Sequence, residues 1–189
     1  MNKPPSKIIG LSVSIVSYFH DLPTLTATLD SLSNAIARLA DAMPLRARIV
    51  VVDNSEDGSD ASRLRTWLLN RDHTSPDQGQ NPSVCLKVSG VNTGYGAGNN
   101  LGQACTEKLM ADIPVQHRWV LVLNPDVILE EAALIAGIRT LQANPGCSML
   151  SPRAQDETAQ DPQNPQDLYL AHRYPGWLVL GLRAASPGI

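Results

Sequence analysis

The sequence predicts an α/β fold in which a mostly parallel, Rossmann-like sheet is flanked by helices. Two observations support this prediction. Short segments rich in β-branched residues alternate along the chain with amphipathic helical segments, and polar clusters follow several of the apolar segments directly. Repeated strand–helix units of this kind favour a parallel sheet with helices on both faces.

The first strand–helix unit gives the clearest signals. Residues 8–17 (IIGLSVSIVS) predict a buried strand. Asp21, followed by Pro23, is typical of a helix start. Apolar residues then recur at alternating spacings of three and four, which indicates one stripe of an amphipathic helix. This stripe consists of Leu22, Leu25, Leu29, Leu32, Ile36 and Leu39.

The remaining elements continue the alternation. The predicted strands are 47–52, 84–88, 118–123 and a fifth that begins within 147–151. The predicted helices are a short one carrying Leu64, Trp67 and Leu68, one that follows a Gly/Asn-rich loop at 92–100 and ends near Met110, and one at 130–144. Residues 71–82 and 155–167 are predicted surface loops. The apolar segment 174–182 is expected to pack against another surface.

Composition limits the function classes. The chain has 189 residues, which suits one domain with a substantial core. Its net charge of -3 and its 4% aromatic content argue against a nucleic-acid interface. The 3 cysteines form no Cys-x-x-Cys pair, so a reducing cytoplasm is expected rather than a disulfide framework or zinc site. No apolar run approaches the about 18 residues of a membrane helix, and we expect a soluble protein.

Polar clusters follow four of the predicted strands. Because ligands of open parallel sheets bind beyond the carboxyl ends of the strands, these clusters are expected to line a ligand crevice. The clusters are Ser17-Tyr18, Asp53-Asn54, 92–100 and 124–126.

Asp126 is the candidate metal ligand. A carboxylate at a strand end can hold Mg²⁺ or Mn²⁺ that also binds substrate phosphates, since such cations need only one or two protein ligands. The alternative is that Asn124-Pro125-Asp126 forms a capping turn before a helix at Glu130. Taken alone, this motif favours the capping turn.

Asp53 ends a strand that is apolar on both faces, where an unpaired acid is costly to bury. Its carboxylate could accept the N3–H of a uracil or thymine ring. The alternative is that Asp53 caps the next helix, although Asp57 and Ser59 are better placed to do so. The motif alone leaves the two interpretations equally weighted.

Gly94, Gly96 and Gly98 interrupt the loop at 92–100. Glycines allow close approach of the backbone to a ligand, and the following helix offers free N–H groups to an anion. The spacing matches neither the dinucleotide fingerprint nor a Walker loop. A tight turn before the helix is the competing interpretation for any single glycine.

Together, four segments resemble family 2 glycosyltransferases of the GT-A fold, across about residues 8–153. The segments are Val13 to Tyr18 (VSIVSY), Val50 to Ser55 (VVVDNS), 92–100 (NTGYGAGNN) and Leu121 to Asp126 (LVLNPD). In the last segment Asn124 replaces the first acid of the family's D-x-D metal motif. Asn-Pro-Asp there is similar to the rhamnosyltransferase-like subgroup, as are 151–157 and 173–175.

The resemblance implies roles for matching residues. Ser17 and Tyr18 would line the nucleoside pocket, Asp53 would hold the pyrimidine, and Asp126 would bind Mg²⁺ or Mn²⁺. Arg153 would face the diphosphate. The full implied substrate-binding set is Ser17, Tyr18, Asp53, Asn54, Asn92, Gly94, Tyr95, Asn99, Asn124 and Arg153.

The function implied is inverting transfer of a sugar in bacterial surface polysaccharide (O-antigen) synthesis. The donor would be dTDP-rhamnose, or a UDP-sugar next in order. The acceptor would be a saccharide or a lipid-linked saccharide, and the enzyme would work in the cytoplasm or peripherally at the inner membrane. No nucleic-acid partner is implied.

The chain departs from the family at its C-terminal part. The family's Gly-Gly-Phe-Asp-Glu stretch and general base are missing, since the chain has 1 Phe, Phe19. We therefore expect a donor-binding core at 1–153 and an incomplete acceptor-side region at 154–189, inactive without the rest. The apolar end would favour self-association into a homo-oligomer. The alternative is a non-catalytic nucleotide-binding or assembly fragment.

Overall fold

The structure is a computed structural model that describes residues 8–70, 83–151 and 180–181. These residues form six strands and four helices. The elements in chain order are β1 (Ile9–Ser17), α1 (Leu22–Ala42), β2 (Leu45–Asp53), α2 (Ser59–Asn70), β3 (Ser83–Val88), α3 (Tyr95–Leu109), β4 (His117–Leu123), α4 (Ala133–Ala143), β5 (Met149–Leu150) and β6 (Leu180–Gly181).

The main sheet has four parallel strands in the order β3-β2-β1-β4, which confirms the predicted α/β, Rossmann-like fold. The strand order runs outward from β1 through β2 to β3 and then returns to the other side of β1. The order therefore reverses between β1 and β4, which is where open α/β sheets bind ligands. A separate antiparallel pair, β5 with β6, completes the described sheets, and β6 lies close to β4.

One face of the sheet carries the larger apolar core. Alternate residues of β1, namely Leu11, Val13 and Ile15, are fully buried in this core. The core also holds residues of α1, α2 and α4, so these three helices cover the same face. The predicted stripe of α1 is confirmed, and the Asp21 carboxylate caps this helix by accepting the Thr24 N–H at 3.0 Å.

The opposite face is covered by α3 alone among the described helices, and this packing depends on small residues. A Cβ added to Gly102 would lie 2.3 Å from Ser14 Oγ, and one added to Gly98 would lie 3.0 Å from the methyl groups of Val16. Both distances are below ordinary van der Waals contact. The two glycines therefore let the axis of α3 approach β1 closely, one helical turn apart.

Two predicted boundaries were wrong. The loop predicted at 92–100 ends at Gly94, because α3 begins at Tyr95 and includes Gly96 and Gly98. Packing against β1 stabilises glycines in a helix despite their low propensity. The helix predicted from Glu130 begins at Ala133.

Several predicted features lie outside the described residues. They are the loops at 71–82 and 155–167, Arg153, and all of the apolar segment except residues 180 and 181. Of the helices that the structure describes, none has the length and hydropathy to cross a lipid bilayer.

The close approach of α3 predicts opposite effects at two of its glycines. Gly102→Ala should lower the free energy of unfolding by about 1–3 kcal/mol, because the new methyl group displaces the Ser14 hydroxyl. Gly96→Ala is the matched control: its Cβ would meet nothing within 4 Å, and it should raise stability by up to about 1 kcal/mol. Urea denaturation of both variants measures the difference. Equal effects would contradict the packing described.

Candidate functional site

The polar clusters predicted from the sequence meet at the carboxyl edge of the sheet. Ser17 ends β1 and pairs in register with Asp53, the last residue of β2. The peptide after β2 is fixed to β1, because the Asn54 N–H donates to the Ser17 carbonyl oxygen at 2.8 Å. Asn124 follows β4 directly, on the other side of β1. These residues therefore surround the point where the strand order reverses.

The turn after β4 contains a buried amide beside an exposed carboxylate. Asn124 is buried, and its Oδ1 accepts a hydrogen bond from the Tyr95 hydroxyl at 2.6 Å. Asp126 is exposed, and it forms no hydrogen bond or ion pair with the part of the chain that the structure describes. The Tyr95 hydroxyl thus joins the start of α3 to the turn after β4 that carries Asp126.

The turn at 124–126 is anchored to α1 and does not cap α4. Thr28 Oγ1 donates to the Pro125 carbonyl oxygen at 2.8 Å, and the Leu129 N–H donates to Ser31 Oγ at 3.1 Å. The N-cap of α4 is Ala132, which makes no side-chain capping bond. The capping interpretation of Asn124-Pro125-Asp126 is therefore wrong.

The environment of Tyr95 changes its acidity. Partial burial raises the pKa of the Tyr95 phenol, a hydrogen bond with Asn99 lowers it by a smaller amount, and the negative charge of Asp126 raises it further. Tyr95 is consequently a neutral hydrogen-bond donor near neutral pH. The same effect shows that Asp126 lies within electrostatic reach of the phenol.

The loop before α3 is held by an amide network centred on Asn54. Asn54 Nδ2 donates to Asn92 Oδ1 at 3.0 Å, and Asn54 Oδ1 accepts from the Thr93 hydroxyl at 2.9 Å and from its N–H at 3.2 Å. Asn92 Oδ1 also accepts the Gly94 N–H at 2.9 Å. Gly94 has φ 78, a left-handed conformation that glycine adopts without strain. Asn54 and Asn92 thus fix the shape of the loop at the edge of the crevice.

Asn99 lies one turn into α3 and is buried at the contact with β1. Its Oδ1 accepts the Ser14 hydroxyl at 2.9 Å, and its Nδ2 donates to the Tyr95 carbonyl oxygen at 3.0 Å. Asn99 therefore positions the first turn of α3. In the described structure, Asn99 supports the start of α3. Its predicted contact with the nucleotide or sugar stays a prediction.

Asp53 is only 1% exposed, and its carboxylate already accepts three hydrogen bonds. Oδ1 accepts the Ser55 N–H at 2.9 Å and the Ser55 hydroxyl at 2.6 Å, and Oδ2 accepts the Ala61 N–H at 2.6 Å. The last bond caps the first turn of α2. A carboxylate offers about four acceptor positions, so a direct bond to a base N–H is limited to the one left on Oδ2.

Asp60 lies at the candidate site although the sequence motifs do not indicate it. It lies in the first turn of α2 and is 3% exposed. Oδ2 accepts hydrogen bonds from the Ser17 hydroxyl and from the His20 N–H, while Oδ1 pairs with Arg63. Arg63 also donates to the His20 carbonyl oxygen at 2.9 Å. The available signal was an acid three residues before an arginine in a helix, which usually indicates only a surface ion pair.

Tyr18 and Phe19 form an exposed aromatic pair directly after β1. Their ring centroids lie 4.7 Å apart, with the ring planes inclined by 65°. The Tyr18 N–H donates to His20 Nδ1 at 3.1 Å. Both side chains are exposed directly after the carboxyl end of β1, where the sequence predicts a site residue at Tyr18 but not at Phe19.

The predicted metal site rests on Asp126 alone. Within residues 8–70, 83–151 and 180–181, no group of three or more His, Cys, Asp or Glu side chains could hold a metal ion. An exposed carboxylate without protein partners still fits a hard cation that takes its other oxygen ligands from a diphosphate and from water. Asn124 Oδ1, the other candidate oxygen, already accepts the Tyr95 hydroxyl.

Comparison with known proteins gives no assignment. No protein-family model matches the chain, and no curated protein is significantly similar to it.

The buried carboxylate of Asp53 predicts a stability difference between two neighbouring acids. Asp53→Asn should lower the free energy of unfolding by about 1–3 kcal/mol, because an amide NH₂ would face one of the N–H donors now bound. Asp57→Asn is the control, since its exposed side chain can still accept the Ser59 N–H. Urea denaturation checks both. A cost at Asp57 equal to that at Asp53 would contradict the capping role described.

The raised pKa of Tyr95 predicts late ionisation of its phenol. A raised folded-state pKa means that this contribution to stability is present below pH 10 and is lost as pH rises above it. The phenolate absorbance of the wild type minus that of Tyr95→Phe should therefore titrate above pH 10. Ionisation of Tyr95 at or below pH 10 would contradict the partial burial of its hydroxyl beside Asn124 and Asp126.

Proposed function

We propose that residues 1–153 form the donor-binding core of a GT-A glycosyltransferase of family 2, of the rhamnosyltransferase-like kind. The observation that carries this proposal is the juxtaposition of Asp126, Asn124 and Tyr95 at the reversal of strand order. An exposed carboxylate, a neutral phenol donor and the start of a helix lie together there. Sheets of this topology bind nucleotides at the same position. The sequence motifs supply the family, and the geometry supports a site at their meeting point.

The diphosphate of the donor is proposed to lie beside Asp126. A divalent cation held there would neutralise charge on the departing nucleoside diphosphate. The start of α3 supports this placement, because the first N–H groups of a helix point towards an anion at its N-terminus. Gly94, directly before Tyr95, carries no side chain that would block that approach. Arg153 is proposed as a further diphosphate contact.

The nucleoside is proposed to lie over the ends of β1 and β2. Ser17 is turned inward to Asp60, which leaves Tyr18 as the exposed side chain available to a base. Asn54 and Asn92 shape the opposite wall through their amide network. Asp53, the last residue of β2, can accept a base N–H only through Oδ2. A pyrimidine nucleotide, dTDP or UDP, is the proposed class.

The rest of the assignment follows the family resemblance. We propose dTDP-rhamnose as the donor, a UDP-sugar as the second choice, and a saccharide or lipid-linked saccharide of bacterial surface polysaccharide as the acceptor. The proposed location is the cytoplasm or the cytoplasmic face of the inner membrane. None of the described residues is assigned as the general base of transfer.

Calorimetric titration with dTDP, UDP and GDP, each with and without Mn²⁺ or Mg²⁺, tests the proposal. We expect metal-dependent binding of dTDP or UDP and not of GDP. Asp126→Ala should weaken it at least about tenfold, since the change removes the proposed cation ligand. Asp112→Ala is the control: this exposed acid follows α3 at the other edge of the sheet.

Three outcomes separate the alternatives. Binding that needs metal and Asp126 supports the donor site. Binding that is indifferent to both supports a nucleotide-binding module without a metal-assisted leaving group. If none of the three nucleotides binds, the proposed function of the described residues is contradicted.

A further inference from the structure

We propose that Phe19 is a second base-contacting residue, which forms with Tyr18 an angled aromatic platform for the pyrimidine ring of the donor. This inference rests on the proposed function and adds a base-contacting residue to it. Sequence motifs did not indicate Phe19. It is identified by its backbone conformation, its exposure and its position.

The backbone of Phe19 is strained. Its φ is 50, and among the described residues it is the one non-glycine residue with a positive φ. Bulky side chains avoid this left-handed region, because Cβ then crowds the neighbouring carbonyl oxygen. Residues held in such conformations concentrate at ligand sites, where the surrounding structure imposes the strain. Phe19 therefore calls for a reason other than stability.

The surrounding loop holds Phe19 from both sides. Before it, the Ser17 hydroxyl is bound to Asp60, and after it, the His20 N–H is bound to the same carboxylate oxygen. Arg63 binds the His20 carbonyl oxygen and neutralises Asp60. The chain must turn within the two residues between these anchors, so the buried carboxylate of α2 dictates the conformation at Phe19.

The Phe19 side chain gains little from the protein in return. It is 52% exposed, and its described ring contact is the one with Tyr18, which is itself 43% exposed. Rings inclined at 65° form a corner that can offer the face of one ring and the edge of the other to a planar ligand. A pyrimidine is planar and matches this geometry. A phosphate does not, and Arg63, the cation that binds this loop, is already paired with Asp60.

Position makes the nucleobase the fitting ligand. The aromatic pair follows β1, the strand beside the reversal of strand order, while Asp126 follows β4 on the other side of that crevice. A nucleoside diphosphate has an apolar planar end and a charged end. It would place its base on the aromatic corner and its diphosphate at Asp126.

Calorimetry on the full chain with Mn²⁺ tests the inference, with dTDP and pyrophosphate as probes. Phe19→Asn should weaken dTDP binding about tenfold, the scale of one lost base–aromatic contact, and leave pyrophosphate binding unchanged. Phe19→Tyr keeps the ring and should bind dTDP within about twofold of the wild type. Leu109→Asn removes an exposed apolar side chain at the far end of α3 and should have no effect.

Urea denaturation of the same variants separates binding from folding. Asn tolerates the left-handed region, so Phe19→Asn should unfold at an equal or higher urea midpoint than the wild type. Weaker dTDP binding by a variant of equal or greater stability supports the inference. A lower midpoint with parallel loss of dTDP and pyrophosphate binding overturns it, because Phe19 would then act through folding.

Two further outcomes overturn the inference in distinguishable ways. If the wild type binds dTDP and Phe19→Asn binds it equally well, Phe19 is not a base contact and the proposed function stands. A change in sedimentation-derived mass with unchanged affinity would assign the aromatic pair to self-association instead. If the wild type binds no nucleotide, the proposed function and this inference fail together.

Discussion

The close contact between α3 and β1 is the constraint on which the candidate site depends. Because Gly98 and Gly102 have no side chains, α3 packs closely against Val16 and Ser14 of β1. Only at that distance does Asn99 reach Ser14 and fix the first turn of the helix. The first turn in turn carries the Tyr95 hydroxyl to the end of β4. Helix packing therefore positions the start of α3 relative to the end of β4.

The N-terminal part of α2 supplies the second support, from the opposite face of the sheet. Asp53 reaches the helix from the end of β2, and Asp60 reaches from the helix to the loop after β1. Both carboxylates are buried but not isolated, since N–H, hydroxyl and guanidinium donors surround them. These hydrogen bonds and the ion pair offset the desolvation cost of burying the two carboxylates. The two acids join the ends of neighbouring strands to one helix, and they keep the exposed residues of the edge in place.

The sequence predicted the order of elements and the edge at which the site lies, because strand periodicity and the α1 stripe are local signals. It placed Asp126 correctly at the end of β4, and it named Asn54 and Asn92 without their mutual bond. It missed Asp60 and Phe19. The role of Asp60 arises from contacts with Ser17 and His20, which lie forty or more positions away in the chain. The positive φ of Phe19 could not be predicted, because phenylalanine rarely adopts this conformation. The start of α3 was misplaced because glycine propensity argues for a loop, whereas packing against β1 decides for a helix.

The amide network centred on Asn54 restricts how this chain can diverge. An amide has a donor end and an acceptor end, and here the donor end meets Asn92 while the acceptor end meets Thr93. An acid at position 54 would bring two acceptors together, and a leucine would make none of these hydrogen bonds. Substitutions in this loop and at the end of β2 should therefore be inherited in pairs. Among descendants of this sequence, positions 54 and 92 are expected to covary, although 37 residues separate them in the chain.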